Sequence, residues 1–70
     1  MLHKSKIKAA VRDQFKDVEI VEIKKYGFGT FSVRVEKKMP KSVKVGFIYG
    51  DTDFDKSKSG IILDNDIDWI

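Results

Sequence analysis

Valine and isoleucine together supply fifteen of the 70 residues, and leucine only two. β-Branched side chains are stiff at χ1 and suit a pleated surface, so this imbalance constrains the chain toward a sheet. The alternation is clearest between Thr30 and Tyr49. Phe31, Val33 and Val35 fall on one face of a strand, with Thr30, Ser32, Arg34 and Glu36 on the other. After a charged connection containing Pro40, which cannot donate to a ladder, Val43, Val45, Phe47 and Tyr49 repeat the period, with Lys44, Gly46, Ile48 and Gly50 opposite. The pattern predicts two antiparallel strands with one dry face, formed by Phe31, Val45 and Phe47 among others, and one wetter face that includes Ile48.

The segments around this pair complete the outline. From Ser5 to Lys16 the apolar positions are Ile7, Ala10, Val11 and Phe15, a helical stripe with Ser5 as its N-cap. The stretch from Val18 to Ile23 reads as a strand whose alternation changes phase between Ile20 and Val21, which predicts a bulge there. Tyr26-Gly27-Phe28-Gly29 carries two glycines able to adopt positive φ in a tight reversal. Gly50 to Gly60 reads as an exposed loop with Phe54 as its one large apolar residue. In the tail, Ile61, Leu63, Ile67 and Trp69 share one parity and Asp64, Asp66 and Asp68 the other, as in a fourth strand bent at Asn65.

The assembled expectation is an α+β fold of order α-β-β-β-β, one domain over residues 1–70. An N-terminal helix packs on one face of a three- to four-stranded antiparallel sheet. A core of this size supplies about 3–5 kcal/mol unless something else supports it. With no cysteine to pair and His3 alone, neither a disulfide nor a structural zinc site is expected, so packing or self-association must hold the fold. The start of the chain lacks the apolar stretch of a secretory signal and no run reaches membrane-spanning length, which predicts a cytoplasmic protein without membrane contact.

Charge gives the only direct pointer to a partner. Residues 1–50 hold twelve lysines and arginines against five acids, whereas residues 51–70 hold two lysines against six aspartates. The cations concentrate on the helix (Lys4, Lys8, Arg12), at the first hairpin (Lys24, Lys25) and in the connection after the second strand (Lys37, Lys38, Lys41). A surface gathering such cations neutralises phosphates and releases counterions, giving sequence-tolerant, salt-sensitive contact with DNA or RNA. Tyr26 and Phe28 are candidate stacking rings. The run from Lys24 to Phe31 resembles the aromatic strand signatures of RNA-recognition and cold-shock domains over about eight residues. It departs from them at Thr30, and the element order follows neither family, so a tight turn with Phe31 in the core is the preferred reading. A helix followed by three strands also resembles the opening of a double-stranded-RNA-binding domain. That family's closing basic helix has no counterpart in the acidic stretch from Gly60 to Asp66, and membership is not assigned.

The acidic end supports a competing expectation: a protein-interaction or self-associating module, for example an accessory protein of a phage or plasmid. Asp64, Asp66, Asp68 and Trp69 would form its contact, with a protein partner or a second copy. Period-two geometry places those aspartates on one face with Arg34 and Lys44. Asp51 to Ser57 begins like a calcium loop, but Lys56 and Ile62 occupy the positions that need glycine and a bidentate acid, so no metal is expected. No cofactor, small-molecule substrate or catalytic activity is expected either. The sequence has no cysteine nucleophile, no Walker-type phosphate loop and one histidine at the amino terminus.

Overall fold

The computed structural model describes residues 4–52 and 60–70, without the side chain of Phe28. Helix α1 (Lys4–Gln14) leads into strand β1 (Glu19–Lys25), a 3-10 turn (Gly27–Gly29), and strands β2 (Thr30–Lys38), β3 (Val43–Thr52), β4 (Ile61–Leu63) and β5 (Asp68–Trp69). The sheet runs β1-β2-β3-β4, entirely antiparallel, with β5 also on β3. The expected α+β arrangement, a helix on one face of an antiparallel sheet, is therefore the observed one.

Two irregularities keep the apolar residues on the helix side. In β1 the register shifts by one residue between Ile20 and Glu22, leaving Val21 unpaired and half exposed. A one-residue bulge reverses side-chain phase, so Ile20 and Ile23 both face α1, as the phase change in the sequence predicts. At the far edge, Leu63 pairs with Gly50 and Trp69 with Gly46. The chain thus takes two extra residues at the Asn65–Asp66 bend, an even number that preserves phase. Ile61, Leu63 and Ile67 accordingly pack against the core together.

That core is Ile7 and Val11 from α1, Ile23 from β1, Phe31, Val33 and Val35 from β2, and Ile48 from β3. Burying each is worth roughly 1.5–3 kcal/mol relative to leaving it wet. Ser5 lies inside the first helical turn rather than capping it, and the helix ends at Gln14, two residues before Lys16. Phe15 and Val18, in the descent to β1, pack beneath the helix as partly buried residues. The helix crosses the sheet on a diagonal. Lys4 and Lys8 lie beside Ile20–Ile23 of β1, whereas Gln14 donates from Nε2 to the Asp64 carbonyl at 3.0 Å beyond β4.

Strand β3 presents the face opposite to the one its apolar alternation indicates. Phe31 pairs with Gly50, Val33 with Ile48 and Val35 with Gly46. Residues directly opposed across an antiparallel ladder share a face, so Gly46 and Ile48 are buried beneath the helix side, whereas Val43 and Tyr49 are half exposed on the other. Val45 and Phe47 follow Tyr49, away from Phe31. The four-residue connection Met39–Ser42, closed by the Met39 amide donating to the Ser42 carbonyl at 2.7 Å, fixes this register. The physical reason lies in volume. A Cβ on Gly50 would sit 2.6 Å from Phe31 Cζ, and one on Gly46 2.6 Å from Ile67 Cγ2 and 2.7 Å from Trp69 Cε3. The glycines make room for rings and branched chains under a single helix, and no space is left there for the larger row.

Strand β3 also continues through Thr52, so Gly50, Asp51 and Thr52 belong to the sheet rather than to a loop. The remainder of the expected loop, Asp53 to Ser59 with Phe54 and most of the calcium-like run, lies outside the described residues, as does His3. At the other hairpin, Gly29 adopts φ 88°, the left-handed conformation its position predicts. The Tyr26 amide donates to the Thr30 carbonyl at 2.8 Å, and Thr30 Oγ1 donates to the Gly27 carbonyl at 3.2 Å. Thr52 Oγ1 reaches the Gly29 carbonyl at 3.0 Å, tying the end of β3 to this turn.

Candidate nucleic-acid interface

The ten residues proposed for nucleic-acid contact divide among three places. Lys4, Lys8 and Arg12 recur every four residues on α1, and at 1.5 Å rise per residue they span about 12 Å along one flank. The stripe of Ile7 and Val11 holds the helix down, with Lys4 and Lys8 turned toward β1. Lys4 and Lys8 line a groove of about 290 Å³ with Ile20, Val21, Glu22 and Ile23. Glu22 borders this groove, but it pairs with Arg34 and so directs its carboxylate to the uncovered face. Lys25, opposite Phe31, belongs to the same side of the sheet.

Lys24 and Tyr26 lie on the uncovered side. The Lys24 ammonium sits 5.8 Å from the Tyr26 ring centroid, and the Tyr26 hydroxyl is 3.5 Å from Ser32 Oγ. Ser32 is the one polar side chain among the described residues counted with the buried set. Tyr26 is therefore half exposed, resting on the sheet rather than beside the α1 lysines. The Phe28 side chain, its proposed companion, lies outside what the structure describes.

Lys37, Lys38 and Lys41 mark the far hairpin. Lys37 Nζ meets Asp17 Oδ2 at 3.0 Å and Lys38 Nζ meets Glu19 Oε1 at 3.7 Å, both pairs well exposed. Such exposed pairs add little to stability, because solvent screens them, but they leave Lys37 and Lys38 partly neutralised. Hydrogen bonding from Lys37 holds the Asp17 carboxyl below its ordinary value of 3.8, helped by a backbone hydrogen bond and by the lysine charge. A carboxyl depressed in the folded state stabilises the fold above its unfolded pKa and loses that contribution as pH falls through the folded value. Lys37→Ala should therefore move the Asp17 midpoint up toward 3.8, followed by carbon-detected NMR of its carboxyl. An unmoved midpoint would break the link between the two groups.

The acidic end also divides. Asp68 pairs with Phe47 and stands on the uncovered face beside Arg34's row, as the alternation predicts. Lys44 does not join them. With the opposite parity, it reaches over the Trp69 ring, 5.4 Å from the centroid, on the helix side. Trp69 is thus partly covered, and the side chain of Ile70 is 86% exposed although its amide donates to the Val45 carbonyl at 2.9 Å. Asp64 precedes the bend between β4 and β5, and Asp66 lies within it.

The feature that sequence reasoning missed is the uncovered face itself. Val43, Val45, Phe47 and Tyr49 run down its centre, with Phe47 and Tyr49 stacked at 6.3 Å and Ile62 alongside Asp51. The signal available was Gly46 and Gly50 flanking Ile48, two residues that clear space rather than fill it. Among the described residues no group of three potential ligands could hold a metal ion, no helix is long and apolar enough to cross a membrane, and no buried side-chain polar atom lacks a partner. No family model, no curated protein and no solved structure matches this chain.

Proposed function

We propose that the protein is a small, non-enzymatic, cytoplasmic binding module that contacts DNA or RNA through the helix side of the molecule. The observation that carries this reading is the row Lys4, Lys8 and Arg12 along the flank of α1, two of whose members line the groove against β1. Three cations at regular spacing follow a phosphate backbone without reading bases. Lys25, on the same face at the end of β1, extends the row. Lys37, Lys38 and Lys41 are secondary contacts, since Asp17 and Glu19 must release two of them first. Lys24 and Tyr26 occupy the other face and serve only a strand that wraps the edge of the sheet.

Fluorescently labelled single- and double-stranded oligonucleotides, titrated at about 20 mM and about 200 mM salt, test the proposal. Binding is expected to weaken steeply with salt, by about 0.7–0.9 logarithmic units per phosphate contact for each tenfold rise. Lys4→Ala/Lys8→Ala/Arg12→Ala, which retains helix-forming residues, should reduce affinity at least about tenfold and flatten the slope by roughly two to three units. No binding at low salt, or a triple variant that binds unchanged, would remove this reading.

A further inference from the structure

We infer that the uncovered face of the sheet is the seat of a second copy of this chain, packed face to face about a two-fold axis parallel to β3. Three observations carry it. The first is apolar continuity. The outward row of β3 is Val43, Val45, Phe47 and Tyr49, and Ile62 widens it toward β4, whereas α1 covers only the opposite side.

The second is area. β1, β2 and β3 are seven, nine and ten residues long, and β4 with β5 runs along β3 only from Gly46 to Thr52. At about 3.3 Å per residue and about 4.8 Å between strands, the face has a footprint of roughly 500 Å² per copy. Two such faces bury about 1,000 Å², the minimum for a specific interface and the size of a weak one. Sheets packed this way sit about 10 Å apart, within reach of interdigitating rings.

The third is charge, and it selects the occupant and its orientation. Arg34 on β2 and Asp68 on β5 are both in register with Phe47, one on each side of it, and both are exposed on this face. Rotation by 180° about an axis along β3 exchanges the two flanks and keeps the position along the strand. Arg34 of each copy then lies over Asp68 of the other, giving two identical ion pairs around a shared Phe47–Tyr49 centre. Rotation about an axis across the strands would instead set Arg34 over Arg34 and Asp68 over Asp68. The face is self-complementary in one arrangement and self-repelling in the other.

The inference is independent of nucleic-acid contact, since Lys4, Lys8 and Arg12 stand on the opposite side of the sheet. Sedimentation equilibrium from about 1 µM to 1 mM should show a monomer–dimer equilibrium for the full chain. Arg34→Asp and Asp68→Arg each place like charges across the interface twice, and each alone should weaken the dimer at least about tenfold. Their circular dichroism should be unchanged, because both positions are exposed. Mixing the two variants should restore dimerisation, since each then supplies the charge that the other lacks. A wild-type monomer throughout this range would overturn the proposal. So would a dimer indifferent to both substitutions, or two variants that fail to reconstitute one another.

Discussion

Phe31→Ala is expected to leave the protein largely unfolded in dilute buffer at 25 °C. The Phe31 ring is 1% exposed, seated over Gly50 and within the cluster beneath α1. Truncating a buried phenylalanine costs about 3–5 kcal/mol, comparable to the whole stability that one core of this size supplies. Far-UV circular dichroism against urea would reveal it as a lost or strongly left-shifted transition. Tyr49→Ala is the matched control. It lies on the opposite face with 45% of its surface exposed, and at concentrations low enough to keep the protein monomeric its unfolding free energy should change by less than about 1 kcal/mol. Equal effects at the two positions would mean that the faces of the sheet have been assigned wrongly.

Gly50→Ala should be nearly as damaging although it adds a single methyl group. The new Cβ would lie 2.5 Å from the Ile62 carbonyl oxygen and 2.6 Å from Phe31 Cζ. Neither neighbour retreats easily, because one is backbone in the β3–β4 pairing and the other is the largest fully buried side chain among the described residues. Overpacking of this kind costs about 1–3 kcal/mol, and more where the backbone must shift. Amide exchange should locate the damage, with β4 opening before β1 and β2. Gly46→Ala makes an informative contrast. Its two closest contacts are with side chains, Ile67 Cγ2 and Trp69 Cε3, and the nearest backbone atom, the Asp68 carbonyl oxygen, is farther off at 3.2 Å. A smaller loss is expected, together with red-shifted Trp69 emission as the ring moves into water. A Gly50→Ala protein that melts with wild type would show that Phe31 does not pack against this strand.

Much of this fold is legible in the sequence because period-two and period-3.6 patterns report burial directly. The bulge beside Val21 is visible as a phase change between two β-branched pairs. The bend at Asn65 is visible because Ile61, Leu63, Ile67 and Trp69 keep one parity across it. The face of β3 is not legible by the same rule. Hydrophobicity favours the Val43-to-Tyr49 row, whereas register and volume put Gly46 and Ile48 inside, and register is set by a turn whose geometry composition does not reveal. The proposed interface shares this limit. The i, i+4 spacing of Lys4, Lys8 and Arg12 places them together from sequence alone. That Tyr26 rests over Ser32 on the far face, and that Asp17 and Glu19 engage Lys37 and Lys38, follows only from how the strands meet.

Both lateral borders of the sheet are interrupted. On one side β1 carries the extra residue Val21, and on the other the edge alongside β3 is split into β4 and β5 by the Asn65–Asp66 bend. A newcomer strand needs an unbroken line of amides and carbonyls to extend a ladder, and neither border supplies one of useful length. Polymerisation by edge addition, the route by which small β-rich chains become fibrils, is therefore blocked at both margins. Assembly through the flat of the sheet closes on itself after two molecules, so the chain can expose a valine- and tyrosine-bearing surface without inviting unlimited growth.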